Sequence, residues 1–507
     1  MSLPSRLPET VIKLLPYLDR DTPVWLVGGG VRDHLLGRRT VDLDFAVDGD
    51  ALRLARHLAD RLGGHYYDLD KERGTGRVIL EEEPGQRRTL DFARLRGPDI
   101  NSDLRARDFT INAFAISLRD PEQWLDPTGG SNDLKQKILR TCSPNAVADD
   151  PVRTLRAVRL TTELDLRMEP ETLRQVQQAG PGLGRVSPER VRDEVLRILD
   201  ARRPGRALRL LAHLSLLLVV FPELTDLEGL EQPPPHVYNA LEHTLAVVDR
   251  LGDLLVVLET GYDPEAATDL ILAHAARRLG RFSEQLSTHL DHTLSYGRRV
   301  QQLLFFASLY HDAGKPAVRV ASPNGQTYFQ GYEKISAELI ESRAVALRMS
   351  NSEVRRLGQI VRHHVRPVIL ERSPTVTLRA IYRFYRQAGE SGVEAILLSL
   401  ADFLGTYAPP AHQDAWESRV EVASTLLEAF FEAREERIDP PPLLRGDELI
   451  QTMGLTSGPK IGQLLEIIRE AQVAGEVTSP AEALALARRV IAEGLEGFNL
   501  SGVDGLK

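Results

Sequence analysis

The stretch that most constrains this chain is an apolar run ending in three glycines, followed by a strand pattern with two aspartates. It reads LVGGGVRDHLLGRRTVDLDFAV and spans residues 26–47. Asp42 and Asp44 are two apart in the strand pattern, so their side chains point to the same side, where a hard divalent cation such as Mg²⁺ relieves their repulsion. The backbone can approach a phosphate, with helix N–H groups available to bind it, at Gly28, Gly29 and Gly30. This order predicts phosphoryl or nucleotidyl transfer.

Each half of this pattern is common by itself. A GGG sequence is usually a turn, and an Asp-X-Asp sequence is usually a solvated strand edge. Joined in the order strand, glycine turn, helix and acidic strand within about twenty residues, they favour function. The combination resembles the signature of the polymerase-beta-like nucleotidyltransferase superfamily. Its details, GGGVRDHLLG and VDLDFAV, resemble the bacterial-type (class II) tRNA nucleotidyltransferases, the CCA-adding enzymes.

Length and composition set the general class of protein. At 507 residues the chain should form several domains, and its 42% hydrophobic and 27% charged residues are ordinary for a soluble globular protein. The single cysteine, Cys142, suits a reducing cytoplasm, and the N-terminus lacks the pattern of a signal peptide. The most apolar stretch, residues 208–221, is too short to span a bilayer. We therefore predict a cytoplasmic protein with no membrane partner.

The distribution of strand and helix patterns along the chain predicts four parts. Up to about residue 145, helix patterns at 52–62 and from Thr110 onward alternate with the strand patterns VWLVGG, VDLDFAV, GHYYDLD, GRVILEE and RRTLDFARL. Beyond Asp150 helical periodicity dominates, and the proline-rich segments EQPPPH and RIDPPPLLRG mark two boundaries. The predicted fold is an α+β nucleotidyltransferase head with one mixed sheet, followed by an all-α neck, body and tail. The predicted bounds are 1–145, 146–230, 231–436 and 437–507.

The resemblance implies roles for two further residues of the head. Arg32, near the helix start, would contact a triphosphate, and the alternative is an ordinary salt bridge to Asp33. Asp91, in RRTLDFA, stands where superfamily members often carry a third carboxylate, which could accept the proton of the attacking hydroxyl. Because the CCA-adding group varies at this position, support of the sheet edge is an equal alternative for Asp91.

The segment DLRARDFTINAFA, residues 103–115, resembles the next family motif, which has two adjacent arginines before the aspartate. Ala106 takes the place of one of them here. The resemblance implies that Arg107 faces the triphosphate, that Asp108 accepts a hydrogen bond from a ribose hydroxyl, and that Asn112 holds the local backbone beside the nucleotide. Local helix capping is the alternative, and capping and ligand contact can coexist.

The segment ADDPVRTLRAVRL, residues 148–160, matches the family segment that reads the incoming base. Asp150, Arg153 and Arg156 are spaced by three, so they share one helical face. An arginine fork and a carboxylate can each present hydrogen bonds to the Watson–Crick edges of C and A, so a protein surface would act as the template. For an isolated pair, a salt bridge on a solvated helix would be the better interpretation.

The reaction implied by the resemblance is attack by a tRNA 3′-hydroxyl on the α-phosphate of CTP or ATP, with Mg²⁺ held by Asp42 and Asp44. One departure bears on how many nucleotides are added. Only RLRGPDINS, residues 94–102, joins the Asp91 strand to the next motif, where many members carry a longer flexible loop. In this family a shortened loop accompanies enzymes that add CC alone. Complete CCA addition, CC addition and addition of A alone therefore stay open.

A second motif lies in the helical half. LFFASLYHDAGKP, residues 304–316, resembles the HD phosphohydrolase motif, so the body 231–436 is predicted to be HD-like. The candidate metal ligands are His243, His311, Asp312, His363 or His364, and Asp402. Imidazole and carboxylate together suit transition metals better than Mg²⁺. Tyr332 stands where HD proteins usually have histidine, and a phenol is a poor ligand at neutral pH. We therefore expect weak metal binding with impaired or modified hydrolase activity, or a scaffold for tRNA.

The tail and the arginine-rich neck are the predicted tRNA contacts. The net charge of −9 argues against indiscriminate nucleic-acid binding but allows a local basic surface. Residues 443–468, LLRGDELIQTMGLTSGPKIGQLLEII, resemble the C-terminal segment of the same enzymes, and their glycine-rich turn could aim N–H groups at a phosphate. A simple helical hairpin is the equal alternative.

Two hypotheses from other classes compete with nucleotide transfer. One is an HD phosphohydrolase whose head only binds nucleotide, and the other is an inert RNA-binding module. The intact Asp42 and Asp44, beside the altered Tyr332, disfavour both. The sequence makes no prediction of the oligomeric state.

Overall fold

The computed structural model describes the chain outside residues 1–6, 20, 39–41, 84–85, 123, 267–268, 296, 322–326, 374, 408–412 and 494–507. The chain divides into two compact units. The first comprises Met1–Val195 with Leu210–Val220, and the second comprises Leu196–Arg209 with Phe221–Lys507. The finer four-part division stays a prediction.

A seven-stranded sheet forms the centre of the first unit. Its strands are β1 (Val24–Val27), β2 (Asp42–Val47), β3 (His65–Asp70), β4 (Thr75–Glu83), β5 (Gln86–Arg94), β6 (Ala115–Ser117) and β7 (Trp124–Leu125). The strand order is β3-β4-β5-β2-β1-β6-β7. β2 pairs with β5 in parallel, and the other neighbours pair antiparallel. The sheet is mixed, as the sequence predicts.

Helices cover the sheet and continue the first unit. They are α1 (Glu9–Leu14), α2 (Gly29–Leu35), α3 (Ala51–Leu62), α4 (Ile100–Arg105), α5 (Gly130–Lys135), α6 (Arg153–Glu163), α7 (Pro170–Ala179) and α8 (Pro188–Leu199), followed by α9 (Gly205–His213) and α10 (Leu217–Val220). A parallel two-stranded sheet joins β8 (Ile138–Leu139) to β9 (Arg167–Met168). α8 and α9 each continue across the division between the two units.

The alternation along β2 divides its side chains between two cores. Leu43 and Phe45 belong to the large core that includes residues of α1, α2 and α3, and Phe45 stacks on Phe92 of β5 at 4.6 Å between ring centroids. Ala46 belongs to a smaller cluster that includes residues of α4. Because side chains alternate along a strand, Asp42 and Asp44 lie on the face of Ala46, away from the large core.

The prediction of a helix from Thr110 onward is wrong. The chain makes one 3-10 turn at Thr110–Asn112 and then enters strand β6. The Thr110 N–H donates to the Arg140 carbonyl at 2.9 Å, and its hydroxyl donates to Asp133 at 2.8 Å. These hydrogen bonds to distant residues replace the local ones that a helix would need.

The second unit is mostly helical among the described residues. Its later helices are α11 (Ala240–Val257), α12 (Leu270–Leu279), α13 (Ser283–Asp291), α14 (Val300–Tyr310), α15 (Tyr332–Ala346), α16 (Asn351–His363), α17 (Arg366–Glu371), α18 (Leu378–Ala388), α19 (Gly392–Thr406), α20 (Gln413–Phe431), α21 (Arg434–Arg437), α22 (Gly446–Met453), α23 (Pro459–Val473) and α24 (Pro480–Glu493). Two hairpins pair β10 (Thr293–Ser295) with β11 (Arg298–Arg299), and β12 (Arg319–Ala321) with β13 (Thr327–Phe329).

The body of the second unit is built around α14. This helix packs against α11, α16 and α19, and all its residues but Gln301 are buried. The predicted α+β head followed by a helical body is confirmed, and the two short hairpins are the departure from an all-α body. In the described part of the chain, no helix combines the length and the apolar character needed to cross a bilayer.

Candidate active site

The glycine turn brings the backbone directly against the acidic strand. Gly28 ends β1 with a φ of 76° and precedes α2. A Cβ atom on Gly28 would lie 3.1 Å from both Asp44 Oδ2 and Arg107 Nη1. Glycine is therefore needed here for its conformation and for the close approach. Gly30 differs, because its Cβ would face Leu43 Cδ2 at 3.2 Å, on the core side.

The carboxyl group of Asp44 has a pKa raised to about 6. Burial is the main cause, Arg107 opposes it, and the nearby Asp91 and Asp42 add to the rise. An ionised carboxylate in this position needs compensating positive charge. This electrostatic setting fits a site for a divalent cation between the acids.

Asp91 lies beside Asp44 but is engaged by another residue. The parallel register of β2 and β5 pairs Asp44 with Asp91. Arg77, opposite Asp91 on β4, donates from Nε to Oδ1 and from Nη2 to Oδ2, both at 2.8 Å. Such a two-point pair occupies both carboxylate oxygens. This contact favours the alternative in which Asp91 supports the sheet, and its role as a proton acceptor stays a prediction.

An open cleft of about 1010 Å³ lies over the glycine turn and Asp44. Nine of the residues predicted from the sequence line it: Gly28, Gly29, Asp44, Arg107, Asp108, Asn112, Asp150, Arg153 and Arg156. Four predicted residues are not part of its lining, namely Gly30, Arg32, Asp42 and Asp91. The structure therefore gathers the three predicted motifs around one cavity.

A buried hydrogen-bond network holds the floor of this cleft. Arg156 Nη1 donates to Asp108 Oδ2 at 2.9 Å, and Asn112 Nδ2 donates to Asp108 Oδ1 at 3.2 Å. Burial alone would raise the pKa of Asp108, but Arg156 holds it at about 2. Arg156 Nε also donates to Glu194 on α8 at 3.0 Å. Asp108 is therefore an ionised acceptor of fixed orientation.

Arg32 takes part in the same network instead of lining the cleft. Its Nη1 donates to Asn112 Oδ1 at 2.6 Å, and its Nε donates to Asp33 Oδ1 at 2.9 Å. The ion pair with Asp33 is the alternative that the sequence offers. The contact with a triphosphate stays a prediction for Arg32.

One member of the predicted base-reading pair, Asp150, precedes α6 and is held by an arginine of α8. Arg190 of α8 donates from Nη2 to Asp150 Oδ2 at 2.6 Å, whereas Arg153 Nε lies 3.8 Å from the same oxygen. Arg153 Nη1 donates to the Ala146 carbonyl at 2.9 Å. Arg190 also lines the cleft. Asp150 and Arg153 thus both line the cleft, and each is held by a contact to another part of the first unit.

A second cluster of candidate ligands lies in the second unit. Nitrogens of His243 and His311 and a carboxylate oxygen of Asp402 lie within 4.8 Å of one another. His311 Nε2 lies 3.3 Å from His243 Nε2, and His243 Nε2 lies 3.1 Å from Asp402 Oδ1. His311 Nδ1 contacts the Ser308 carbonyl at 2.8 Å, which directs Nε2 into the cluster. This donor set fits a divalent metal ion.

Of the two histidines that the sequence offers at this point, His364 lies nearer to the cluster. Its ring lies 5.4 Å from the His311 ring between centroids, and its Nδ1 contacts the Val361 carbonyl at 2.6 Å. Among the described residues, the group of ligand atoms contains neither His363 nor His364, so a metal contact by either stays a prediction. The hydroxyl of Tyr332 lies 3.4 Å from His364 Nε2.

Asp312 forms an ion pair with the ammonium group of Lys315. Lys315 Nζ lies 2.5 Å from Asp312 Oδ2 and donates to Gln232 Oε1 at 2.6 Å. Asp312 Oδ2 also lies 3.3 Å from His311 Nε2. An ammonium group therefore competes with a metal ion for this carboxylate.

Three family models match successive parts of the chain. They are the poly A polymerase head domain over residues 24–140, the probable RNA and SrmB-binding site of polymerase A over 165–227, and the HD domain over 241–406. The A-adding tRNA nucleotidyltransferase of Deinococcus radiodurans is 33% identical over 92% of this chain and 94% of that protein.

The chain belongs to the tRNA nucleotidyltransferase family. The CC-adding tRNA nucleotidyltransferase of Thermus thermophilus is 31% identical over 90% of this chain and 92% of that protein. A solved structure of the Thermotoga maritima CCA-adding enzyme complexed with tRNA shares the fold, with a TM-score of 0.56 at 22% identity over 96% of this chain and 97% of that one. The predicted family, with its HD domain, is confirmed.

Several residues of this tRNA nucleotidyltransferase site escaped the sequence-based prediction. Arg73, Arg94 and Arg96 of the head and Arg190 of α8 line the cleft. Just before the HD domain, the His236 ring lies 5.1 Å from the His243 ring between centroids. Arginines are frequent along this chain, and His236 follows a proline-rich break, so no local pattern marks these residues.

Proposed function

We propose that this protein transfers CMP or AMP from CTP or ATP to the 3′ end of tRNA without a nucleic-acid template. One observation carries the proposal. Asp44 and the Gly28 turn line the same cleft as Asp108, Asp150 and Arg153. The cleft thus combines a place for the reacting phosphate with side chains that can bind a nucleoside.

Each group of residues has a distinct task in this reaction. Arg107 Nη1, close to the Gly28 turn, binds the triphosphate as the leaving pyrophosphate departs. Asp108, ionised and fixed by Arg156, accepts a hydrogen bond from a ribose hydroxyl. Asp150 and Arg153 present an acceptor and donors to the edge of the base.

The carboxylates of Asp42 and Asp44 share one face of β2, and hard oxygen ligands of this kind suit Mg²⁺. A magnesium ion held by these two acids would neutralise charge that develops on the phosphates and lower the pKa of the attacking hydroxyl. The raised pKa of Asp44, about 6, supports a cation in this position.

We infer that the protein adds only part of the CCA sequence. Four relatives match it over nine-tenths or more of its length, and they are one A-adding and three CC-adding enzymes. The connection between β5 and α4 is also short, running from Leu95 to Asp99. The resemblance associates a short connection with enzymes that add CC alone.

Three tRNA transcripts test both statements. They end before the first C, before the second C and before the final A, and each is incubated with labelled CTP or ATP. The proposal predicts incorporation that stops after CC, or a single A added only to the third transcript. Completion of CCA on the first transcript would overturn partial addition, and no incorporation on any transcript would overturn the proposed function.

We propose that the cluster of His243, His311 and Asp402, called the HD cluster below, binds a divalent transition-metal ion weakly. Imidazoles and carboxylates provide the ligands, but the Lys315 ammonium competes at Asp312 and the Tyr332 phenol replaces a histidine. Plasma mass spectrometry of the purified protein should find less than one metal ion per chain. Tyr332→His should raise the occupancy, and a full complement of metal in the wild type would contradict the proposal.

A further inference from the structure

The segment that connects β5 to α4 carries an arginine into the nucleotide cleft. Arg96 lines the cleft together with Arg107 and Arg153. Gly97 follows with a φ of 94°, so the chain turns immediately after Arg96. Among the described residues, no carboxylate forms an ion pair with the Arg96 side chain, which is exposed to the cleft.

Arg96 and Arg107 are tied to the same buried carboxylate. The Arg96 main-chain N–H donates to Asp103 Oδ1 at 3.1 Å. Arg107 donates to Asp103 Oδ2 from Nη2 at 3.0 Å and from Nε at 3.2 Å. Asp103 is only 4% exposed, so its orientation is fixed by these contacts. Asp103 therefore fixes both the main chain at Arg96 and the guanidinium group of Arg107.

The charges around Arg96 call for an anion. Burial lowers the pKa of Arg96, and Arg107, Arg153 and Arg73 lower the pKa further by repulsion, while Asp103 opposes them. The three arginines whose charges act on Arg96 line the same cleft as Arg96 and the Gly28 turn. A nucleoside triphosphate carries several negative charges, whereas one RNA phosphodiester carries a single charge. Carboxylates such as Asp48 and Glu72 also line the cleft, so it is the group of arginines around Arg96, and not the cleft as a whole, that favours the triphosphate.

We propose that Arg96 acts with Arg107 to bind the triphosphate of the incoming nucleotide, and that it replaces the guanidinium missing at Ala106. This proposal rests on the proposed nucleotidyl transfer and assigns one of its binding residues. The short connection between β5 and α4 is then part of the nucleotide site, and its brevity is what holds Arg96 over the cleft.

Binding of inorganic tripolyphosphate, measured by calorimetry, tests this assignment without requiring turnover. Arg96→Ala should weaken binding about tenfold, as expected for one lost charge-assisted contact. Arg96→Lys should keep part of the affinity. The main-chain contact to Asp103 does not depend on the side chain, so the variant should retain its fold. Arg105→Ala is the matched control, since Arg105 is exposed on α4 and lies outside the cleft lining.

Steady-state kinetics give a second, independent measure. Arg96→Ala should raise the KM for CTP or ATP while the KM for tRNA stays unchanged. Equal tripolyphosphate affinity in the variant and the wild type would overturn the proposal, and so would a rise in the KM for tRNA alone. If the wild type failed to transfer any nucleotide but Arg96→Ala still lost tripolyphosphate binding, the proposed function would fail and the phosphate assignment would stand.

Discussion

The carboxylate of Asp44 is suited to binding a cation, but its ionised form destabilises the folded head. It lies between Asp42 and Asp91 with a pKa raised to about 6 by burial and by these neighbours. At neutral pH the folded head must therefore hold an ionised carboxylate in an unfavourable position. The same position is what makes the residue useful to a cation. Function at this residue should cost stability.

Asp44→Asn should stabilise the magnesium-free protein above pH 6. Because the folded pKa of Asp44 is raised, the native state binds an extra proton between about pH 4 and pH 6, and its stability falls as the pH rises through this window. The substitution should therefore raise the free energy of unfolding by at most about 3 kcal/mol at pH 8. At pH 4 it should leave the free energy of unfolding unchanged. Hydrogen exchange of the β2 amides in EDTA measures the difference. Equal protection of both proteins at pH 8 would show that Asp44 carries no such cost.

Arg190→Ala should reduce discrimination between CTP and ATP. Arg190 holds Asp150 through a 2.6 Å contact, so its loss frees the carboxylate to rotate. The ratio of kcat/KM for the two nucleotides should change by about tenfold, as expected for one charge-assisted hydrogen bond. Arg174→Ala, an exposed arginine of α7, serves as the control. An unaltered ratio would show that the orientation of Asp150 does not contribute to the choice between CTP and ATP.

Local periodicity predicts some of these residues and not others. Alternation along β2 places Asp42 and Asp44 on one face because Leu43 and Phe45 enter the core. The pairing of Arg190 with Asp150 joins residues 40 positions apart, and no local pattern contains it. Likewise His363 and His364 are adjacent, and only the packing of α16 decides which ring reaches His311.

At the scale of elements, α5 is positioned by a contact that allows no side chain. A Cβ atom on Gly130 would lie 2.0 Å from the Thr110 carbonyl oxygen. The Gly130 N–H donates to Asp126 Oδ1 at 2.7 Å, so the helix start cannot easily move away. This contact supports the 3-10 turn that carries Asn112.

Gly130→Ala should destabilise the head by about 1 to 3 kcal/mol, because the added methyl group meets backbone atoms. Thermal unfolding measures the loss. Gly184→Ala is a suitable comparison, since a Cβ atom there meets nothing within 4 Å. If both variants melted at the wild-type temperature, α5 would have to be free to shift.

The strand–turn–helix–strand unit of β1, α2 and β2 is predictable because its glycines, helix start and alternation are local. β6 is not, since residues 110–117 have the apolar composition of either a helix or a strand. β6 forms a strand because it pairs with β1, where Trp25 lies opposite Ser117. Short strands that complete a sheet depend on tertiary contacts.

At the scale of the whole molecule, the two candidate sites use separate sets of residues. The cleft is lined by residues of the first unit, and the HD cluster belongs to the second. His311→Ala should therefore lower the metal content and leave nucleotide transfer unchanged. Plasma mass spectrometry and transfer assays on the same preparation check both. Loss of transfer in this variant would show that the HD cluster participates in the head reaction.

The central claim is that the paired acids of β2 carry out nucleotide transfer. The most direct test is single-turnover transfer of labelled CMP or AMP to tRNA by the wild type and Asp42→Ala, with Asp60→Ala, an exposed residue of α3, as the control. We expect transfer by Asp42→Ala to fall about 10³-fold or more, because several kcal/mol of charge stabilisation are lost, and the control to transfer at the wild-type rate. Normal transfer by Asp42→Ala would contradict it.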